Sequence, residues 1–439
     1  MPTETSTPPV STMTEFLPEL RYWVAEIIAT EADHLYGIKQ DEARMTLYAL
    51  RLVCKDFANM GVVKAALFKS LNLDATWEDL RLVQATDLSF LAPYIRKVTI
   101  RPSLHNVDLD FMDFKCYYLS KVGKLLSDEE VNLEFESYQD KSRIDDTLMK
   151  SGELERVWTA LFKQFRKSIK IVIPSWIGQH PLLFNWDEFW EAASSRIPLR
   201  EGSLMNYKQL FRTVLRCLVS SDVIVRGIEA DCEIMNSFRD WQSSDWRQLV
   251  LDKLKVLKFT SYEFWDAIEH DGFRERDNAI FNAIGQFLGK CPSDLRVLGI
   301  QRYVDCPRIL IPSLSASGIR GLRPLSLEGI LLGPHLLALD ISSMLYLKSV
   351  YLRDCDTRPT EGQWKAVLVS VHHHTNSIRF EMDNCRGRRG DHEWDFFFSF
   401  NTATFDEDVA CLRYEDEREL YRYLARRGPW TNGLEICYG

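Results

Sequence analysis

Two periodicities divide this chain. Between Arg44 and Phe57, apolar residues recur at Leu47, Leu50, Val53 or Cys54, and Phe57. Spacings of three and four put them on one face of a helix. Tyr48, Leu52 and Lys55 fall on a second face, so the helix is apolar over more than one stripe and calls for two neighbours. Later in the chain a shorter template takes over, apolar-x-x-apolar-x-apolar, which reads as a half-buried strand. It recurs at Ile95/Val98/Ile100, Leu254/Leu257/Phe259, Leu295/Leu298/Ile300, Leu322/Leu325/Leu327, Leu336/Leu339/Ile341 and Leu347/Val350/Leu352. Ser377/Phe380/Met382 is a weaker copy, and Ser168 to Ile173 adds another strand. Helical stretches at Arg156 to Phe165, Tyr207 to Ser220, Asn278 to Leu288 and Gly362 to His372 lie between several of them. Thr76 with Asp79 three residues on marks one further helix start.

The strand starts Leu295, Leu322, Leu347 and Ser377 are 25 to 30 residues apart. One strand and one helix fit in each interval, as in leucine-rich repeats. Asp354 with Cys355, and Asn384 with Cys385, stand closest to the Asn/Cys position that follows such a strand. An ordinary α/β domain with short buried strands is the other reading of this pattern. In a repeat, the residues between the apolar positions face outward. They are Lys97, Thr99, Arg101, Val256, Lys258, Thr260, Val297, Gly299, Gln301, Ser349, Tyr351, Arg353, Arg379, Glu381 and Asp383, a mixed set that leans basic. Lys258, Gln301, Tyr351, Arg353 and Arg379 are the candidates for holding a target, through an acidic or phosphorylated segment. A solvated sheet face is the plainer alternative.

The region before the repeats carries a second signature. Leu17-Pro18-Glu19-Leu20 opens a helix, with Pro18 suited to its first turn. Trp23, Val24, Ile27 and Ile28 follow at helical spacing, then Leu50-Arg51-Leu52-Val53-Cys54-Lys55-Asp56-Phe57, then Val62, Val63, Ala66, Leu67 and Phe68. This order resembles an F-box, in the version found in many filamentous fungal proteins, over about Phe16 to Leu71. The resemblance implies a docking module for a Skp-family adaptor and its cullin scaffold. Leu17, Pro18, Leu20, Leu50, Leu52, Val53, Cys54 and Phe57 match the family's apolar docking and packing positions. It also favours the repeat reading, because such proteins often carry degenerate leucine-rich repeats. The stretch Glu31 to Arg44 makes the connection into the Leu50 helix longer than the family's usual one.

Composition narrows the function classes. With 439 residues, 46% hydrophobic and 27% charged, the chain is globular and larger than one ordinary core. A net charge of −9 argues against nucleic acid as the main partner. Ten cysteines are scattered without a CxxC pair, no apolar run is long enough to span a bilayer, and no secretory leader pattern opens the chain. These features suit reduced thiols in the cytosol or nucleus. Met1 to Thr14 is rich in Thr, Ser and Pro and reads as a disordered tail.

No complete catalytic constellation emerges. Gly285 to Lys290 is one residue short of a phosphate loop, with Cys291 where Ser or Thr is required, and reads as a helix end. His372, His373 and His374 are consecutive, point three ways and read as an exposed helix end. Arg386 to Gly390 reads as a basic surface loop, and the acidic runs Asp406 to Asp408 and Glu415 to Glu419 as solvated faces. The aromatic clusters at Phe184 to Trp190 and Trp394 to Phe400 read as core.

The sequence thus predicts a mixed α/β chain in three parts. A tail (1–14) precedes a small all-α F-box-like module (15–75) and an irregular leucine-rich-repeat-like α/β solenoid (76–439). The expected function is that of a non-enzymatic substrate receptor of an SCF-type ubiquitin ligase, without cofactor or metal. The alternative is a repeat scaffold in which the N-terminal helices only cap the solenoid. Exposure of Trp23 and Leu52 favours docking over capping.

Overall fold

In a computed structural model, the residues described are 22–29, 45–50, 52, 57, 59–102, 111–112, 114–115, 127–165, 167–174, 201–230, 247–261, 282, 284–302, 309–310, 313–357, 364–376, 378–388, 395–401, 423–424 and 429. Leu17, Pro18, Leu20, Val53 and Cys54, the tail, the acidic runs and the Phe184 to Trp190 cluster lie outside them. The chain is mixed helix and strand, and no helix among the described residues is long and apolar enough to cross a membrane.

Nine strands form a parallel sheet in which spatial order equals chain order. They are β1 (Ser70–Asp74), β2 (Lys97–Arg101), β3 (Ile169–Ile173), β4 (Val225–Ala230), β5 (Val256–Ser261), β6 (Val297–Arg302), β8 (Pro324–Glu328), β10 (Ser349–Arg353) and β12 (Arg379–Arg388). Three short strands, β7 (Ile309–Leu310), β9 (Ile330–Leu332) and β11 (Asp356–Thr357), each follow one of the long ones. They pair in parallel with one another and with the far end of β12. β13 (Asp395–Asn401) closes that edge antiparallel to β12.

The pleat turns two residues per strand inward. One buried row runs Val98, Ile171, Ile228, Leu257, Leu298, Leu325, Val350, Phe380, and its neighbour runs Ile100, Ile173, Ala230, Phe259, Ile300, Leu327, Leu352, Met382. Helices cover this side. These are α2 (Trp77–Ala85), α3 (Asp128–Ser151), α4 (Glu153–Phe162), α5 (Glu201–Ser221), α6 (Pro334–Ser343) and α7 (Trp364–His373). Each sends residues with described side chains into the same cluster, among them Leu80, Leu148, Trp158, Leu215, Ile341 and Val367. A backbone ladder joins the strand beginnings. Arg296 N–H donates to the Lys255 carbonyl (2.9 Å), Arg323 to Arg296 (2.8 Å), Lys348 to Arg323 (2.7 Å) and Arg379 to Lys348 (2.8 Å).

Cys355, two residues past the end of β10, and Cys385, in β12, occupy matching positions. The Cys355 thiol donates to the Leu327 carbonyl (3.4 Å) and the Cys385 thiol to that of Leu352 (3.6 Å), in each case a residue of the preceding strand. Gly321 packs against the turn before β6, its N–H 2.8 Å from the Ser293 carbonyl. A Cβ there would lie 2.6 Å from Asp294 Cα, so only glycine fits.

Several expectations need correction. Leu336/Leu339/Ile341 is not a strand but part of α6. Pro334 presets the first helical turn, and Leu337, Ala338 and Ile341 bury while Leu336 and Leu339 face solvent. Arg386 to Arg388 belongs to β12 rather than to a loop. His374 is buried rather than exposed. Its Nε2 donates to the Met344 carbonyl (3.0 Å) and its Nδ1 accepts from the Asn376 N–H (3.1 Å). The template passed over β1 and β4, and β1 lies within the stretch read as purely helical.

α6 also anchors the turn before β8. The buried Asp340 carboxylate accepts from the Ser313 and Ser315 hydroxyls (2.8 and 2.7 Å) and from the backbone N–H groups of Leu314 and Ser315 (both 2.9 Å). Asp340→Ala leaves two backbone donors without their acceptor, and the expected cost is about 3 kcal/mol. Denaturant unfolding of the two proteins checks this, and an unchanged midpoint would contradict it.

Candidate interaction surfaces

The N-terminal helices have a core of their own. Residues 22–29 and 45–50 are helical, followed by α1 (Gly61–Leu67). Ala25, Ala29, Leu47, Leu50, Phe57, Val63, Ala66 and Leu67 form a cluster separate from the one under the sheet. The opposite sides of the same helices are apolar too. Trp23 and Ile27, four residues apart, are 63% and 60% exposed, and Met45 and Leu52, seven apart, are 66% and 87% exposed. Tyr22, Val24 and Tyr48 are exposed beside them. Among the described candidates for adaptor contact, Leu50 and Phe57 therefore hold the helices together, whereas Leu52 is free to meet a partner. Trp23, Ile27 and Met45 join it. They were not singled out as site residues, although helical spacing alone places Trp23 and Ile27 on one stripe.

The outward side of the sheet is the second surface. All five target-holding candidates sit at outward positions, and the register aligns Glu229, Lys258, Gly299, Ser326, Tyr351 and Glu381 in one row. Next to it, Gln301, Glu328, Arg353 and Asp383 form another. The expected basic bias disappears once β1, β4 and β8 are included. Across the described outward positions, the cations Lys97, Arg101, Lys170, Lys258, Arg353 and Arg379 meet the carboxylates Asp74, Glu229, Glu328, Glu381 and Asp383.

Most of these charges answer one another. Arg101 pairs with Asp74 (2.6 Å), and Glu229 forms ion pairs with both Lys170 (2.7 Å) and Lys258 (3.6 Å). Arg353 lies among Glu328 (3.9 Å), Asp354 (3.8 Å) and Asp383 (3.4 Å). Arg379 reaches Glu381 (3.9 Å) and stands 5.6 Å above the Tyr351 ring. Gly227 and Gly299 make room for the lysine stems, since a Cβ at either would come within 3.0 to 3.1 Å of Lys170 or Lys258 Cγ. The centre of the face, around Val256, Val297, Gly299, Ser326 and Pro324, is uncharged and small.

No group of three or more His, Cys, Asp or Glu able to hold a metal ion occurs among the described residues. Helical residues 284–290 end at Lys290, whose ammonium donates to the backbone carbonyls of Arg247 (2.5 Å) and Leu249 (3.1 Å) instead of standing over an anion site. Burial pushes the thiols of Cys217 and Cys291 up to about 12, so each is a neutral core side chain at pH 7. Iodoacetamide should leave both unlabelled in the native protein and label both after denaturation, read by peptide mass spectrometry. Rapid native labelling of either would contradict their placement.

No protein-family model matches this chain, and no curated protein matches it.

Proposed function

We propose that this chain is the substrate-receptor subunit of an SCF-type ubiquitin ligase. Its N-terminal helices dock a Skp-family adaptor, which joins it to a cullin scaffold. Its sheet, a leucine-rich-repeat-like solenoid, holds a target protein. The observation that carries this is the two-sided apolarity of residues 22–29 and 45–52. Ala25, Ala29, Leu47 and Leu50 fill the module's own core while Trp23, Ile27, Met45 and Leu52 remain in water. A helix that only capped a sheet would need one apolar side. Exposed large apolar side chains concentrated in one short region mark an interaction site. Covering a Leu or Trp contributes roughly 1.5–3 kcal/mol, and a few such anchors carry most of an interface's energy.

The solenoid reading draws on the identity of strand order and chain order, on the repeated rim ladder, and on the matched roles of Cys355 and Cys385. Such a receptor carries out no bond chemistry. It raises the target's effective concentration beside the transfer machinery. The place of action consistent with this is the cytosol or nucleus.

Co-purification with a Skp-family adaptor tests the proposal. Wild type should form a one-to-one complex. Leu52→Asp should weaken it roughly 30-fold or more, and Trp23→Asp should also weaken it, both with unchanged circular dichroism because each side chain is exposed. A folded wild type that never binds the adaptor would reduce the N-terminal helices to a cap.

A further inference from the structure

A row of cations runs along the rim where the parallel strands begin. The residue before β5, β6, β8 and β10 is Lys255, Arg296, Arg323 and Lys348 respectively, and Arg226 holds the aligned position in β4. Their alignment follows from the backbone ladder, in which Lys255 N–H donates to the Arg226 carbonyl (2.7 Å) and the row continues to Lys348. The five positions are therefore one strand spacing apart, about 4.8 Å, and span about 19 Å. Arg226, Arg296, Arg323 and Lys348 are exposed. Of the five, Lys255 has an ion pair among the described residues, with Asp294. The Lys255 ammonium holds the Asp294 carboxyl below its usual range, with Arg296 contributing.

We propose that this ridge docks an extended acidic segment of a partner protein. Like charges held side by side on neighbouring strands repel, and an incoming row of carboxylates relieves that repulsion. An extended chain advances about 3.3 Å per residue, so roughly six residues cover the ridge. Asp294 already shows how a carboxylate seats there. The chain's net charge of −9 opposes long-range attraction of a nucleic acid, which favours a short protein segment over a long polyanion. The site lies on the rim and is independent of the outward sheet face and of adaptor docking.

Fluorescence anisotropy with the full chain and a labelled ten-residue polyglutamate peptide tests this. Saturable binding should weaken as salt rises. Arg296→Glu with Arg323→Glu should lower affinity at least tenfold, whereas Lys141→Glu with Arg143→Glu, an equal charge change at exposed positions of α3, should change it less than twofold. Asp294→Asn should tighten binding two- to threefold. If the double reversal does not fold by circular dichroism, Arg296→Gln with Arg323→Gln serves the same comparison. Absence of saturable binding at low salt, or an equal loss in Lys141→Glu with Arg143→Glu, overturns the proposal. Tighter binding of a single-stranded oligonucleotide of equal charge overturns the assignment of an acidic protein segment. None of these outcomes depends on whether the adaptor binds.

Discussion

Each strand of the main sheet has two inward apolar side chains that find lateral cover only on the neighbouring strands. That dependence holds the structure together. Val350 and Leu352 are sealed by Leu325 and Leu327 on one side and by Phe380 and Met382 on the other. A slip of one residue would turn the whole pair toward solvent, and the rim ladder from Arg226 to Arg379 fixes the register against it. The buried thiols of Cys355 and Cys385 satisfy carbonyls at the far end of the same strands. Neighbouring strands seal one another in chain order, and the outward side of the sheet is left to be shaped by polar residues.

The N-terminal helices solve the burial problem differently. Their short cluster from Ala25 to Leu67 is separate from the main core. It leaves Trp23, Ile27, Met45 and Leu52 uncovered. The sheet face, by contrast, pairs most of its charges internally, so in the proposed receptor role selectivity there would come from shape and from the uncharged centre rather than from net attraction. In the proposed role the two surfaces would meet two different partners, one through apolar anchors and one through a patterned polar plane.

Much of the sheet was legible because its template repeats at Ile95, Leu254, Leu295, Leu322 and Leu347 with strand-like alternation. β4 escaped because Ala230 stands where a larger apolar residue was sought, and β1 because its helical prefix from Gly61 to Leu67 drew the reading toward helix. The Leu336 run misled because a continuous apolar stretch fits either period, and Pro334, two residues earlier, decides for helix. α3 was announced by Ser127 and Glu130, which form a capping box that pattern counting overlooked. The rim cations were also in plain view, at the second position of the template in Leu254-Lys255, Leu295-Arg296, Leu322-Arg323 and Leu347-Lys348. Only the strand order turns those scattered residues into a row. Charge balance on the outward face was not legible, because it depends on Asp74 and Glu229 from the two strands the template missed and on Glu328, one residue past the Leu322 match.

The proposed division between a docking module and a receptor sheet is tested most directly by hydrogen–deuterium exchange of the full chain with and without a Skp-family adaptor. The account predicts that amides in residues 22–29 and 45–52 become slower to exchange on complex formation while those of β5, β6, β8 and β10 do not change. Slowing spread over those strands, or none in the N-terminal helices, would contradict it.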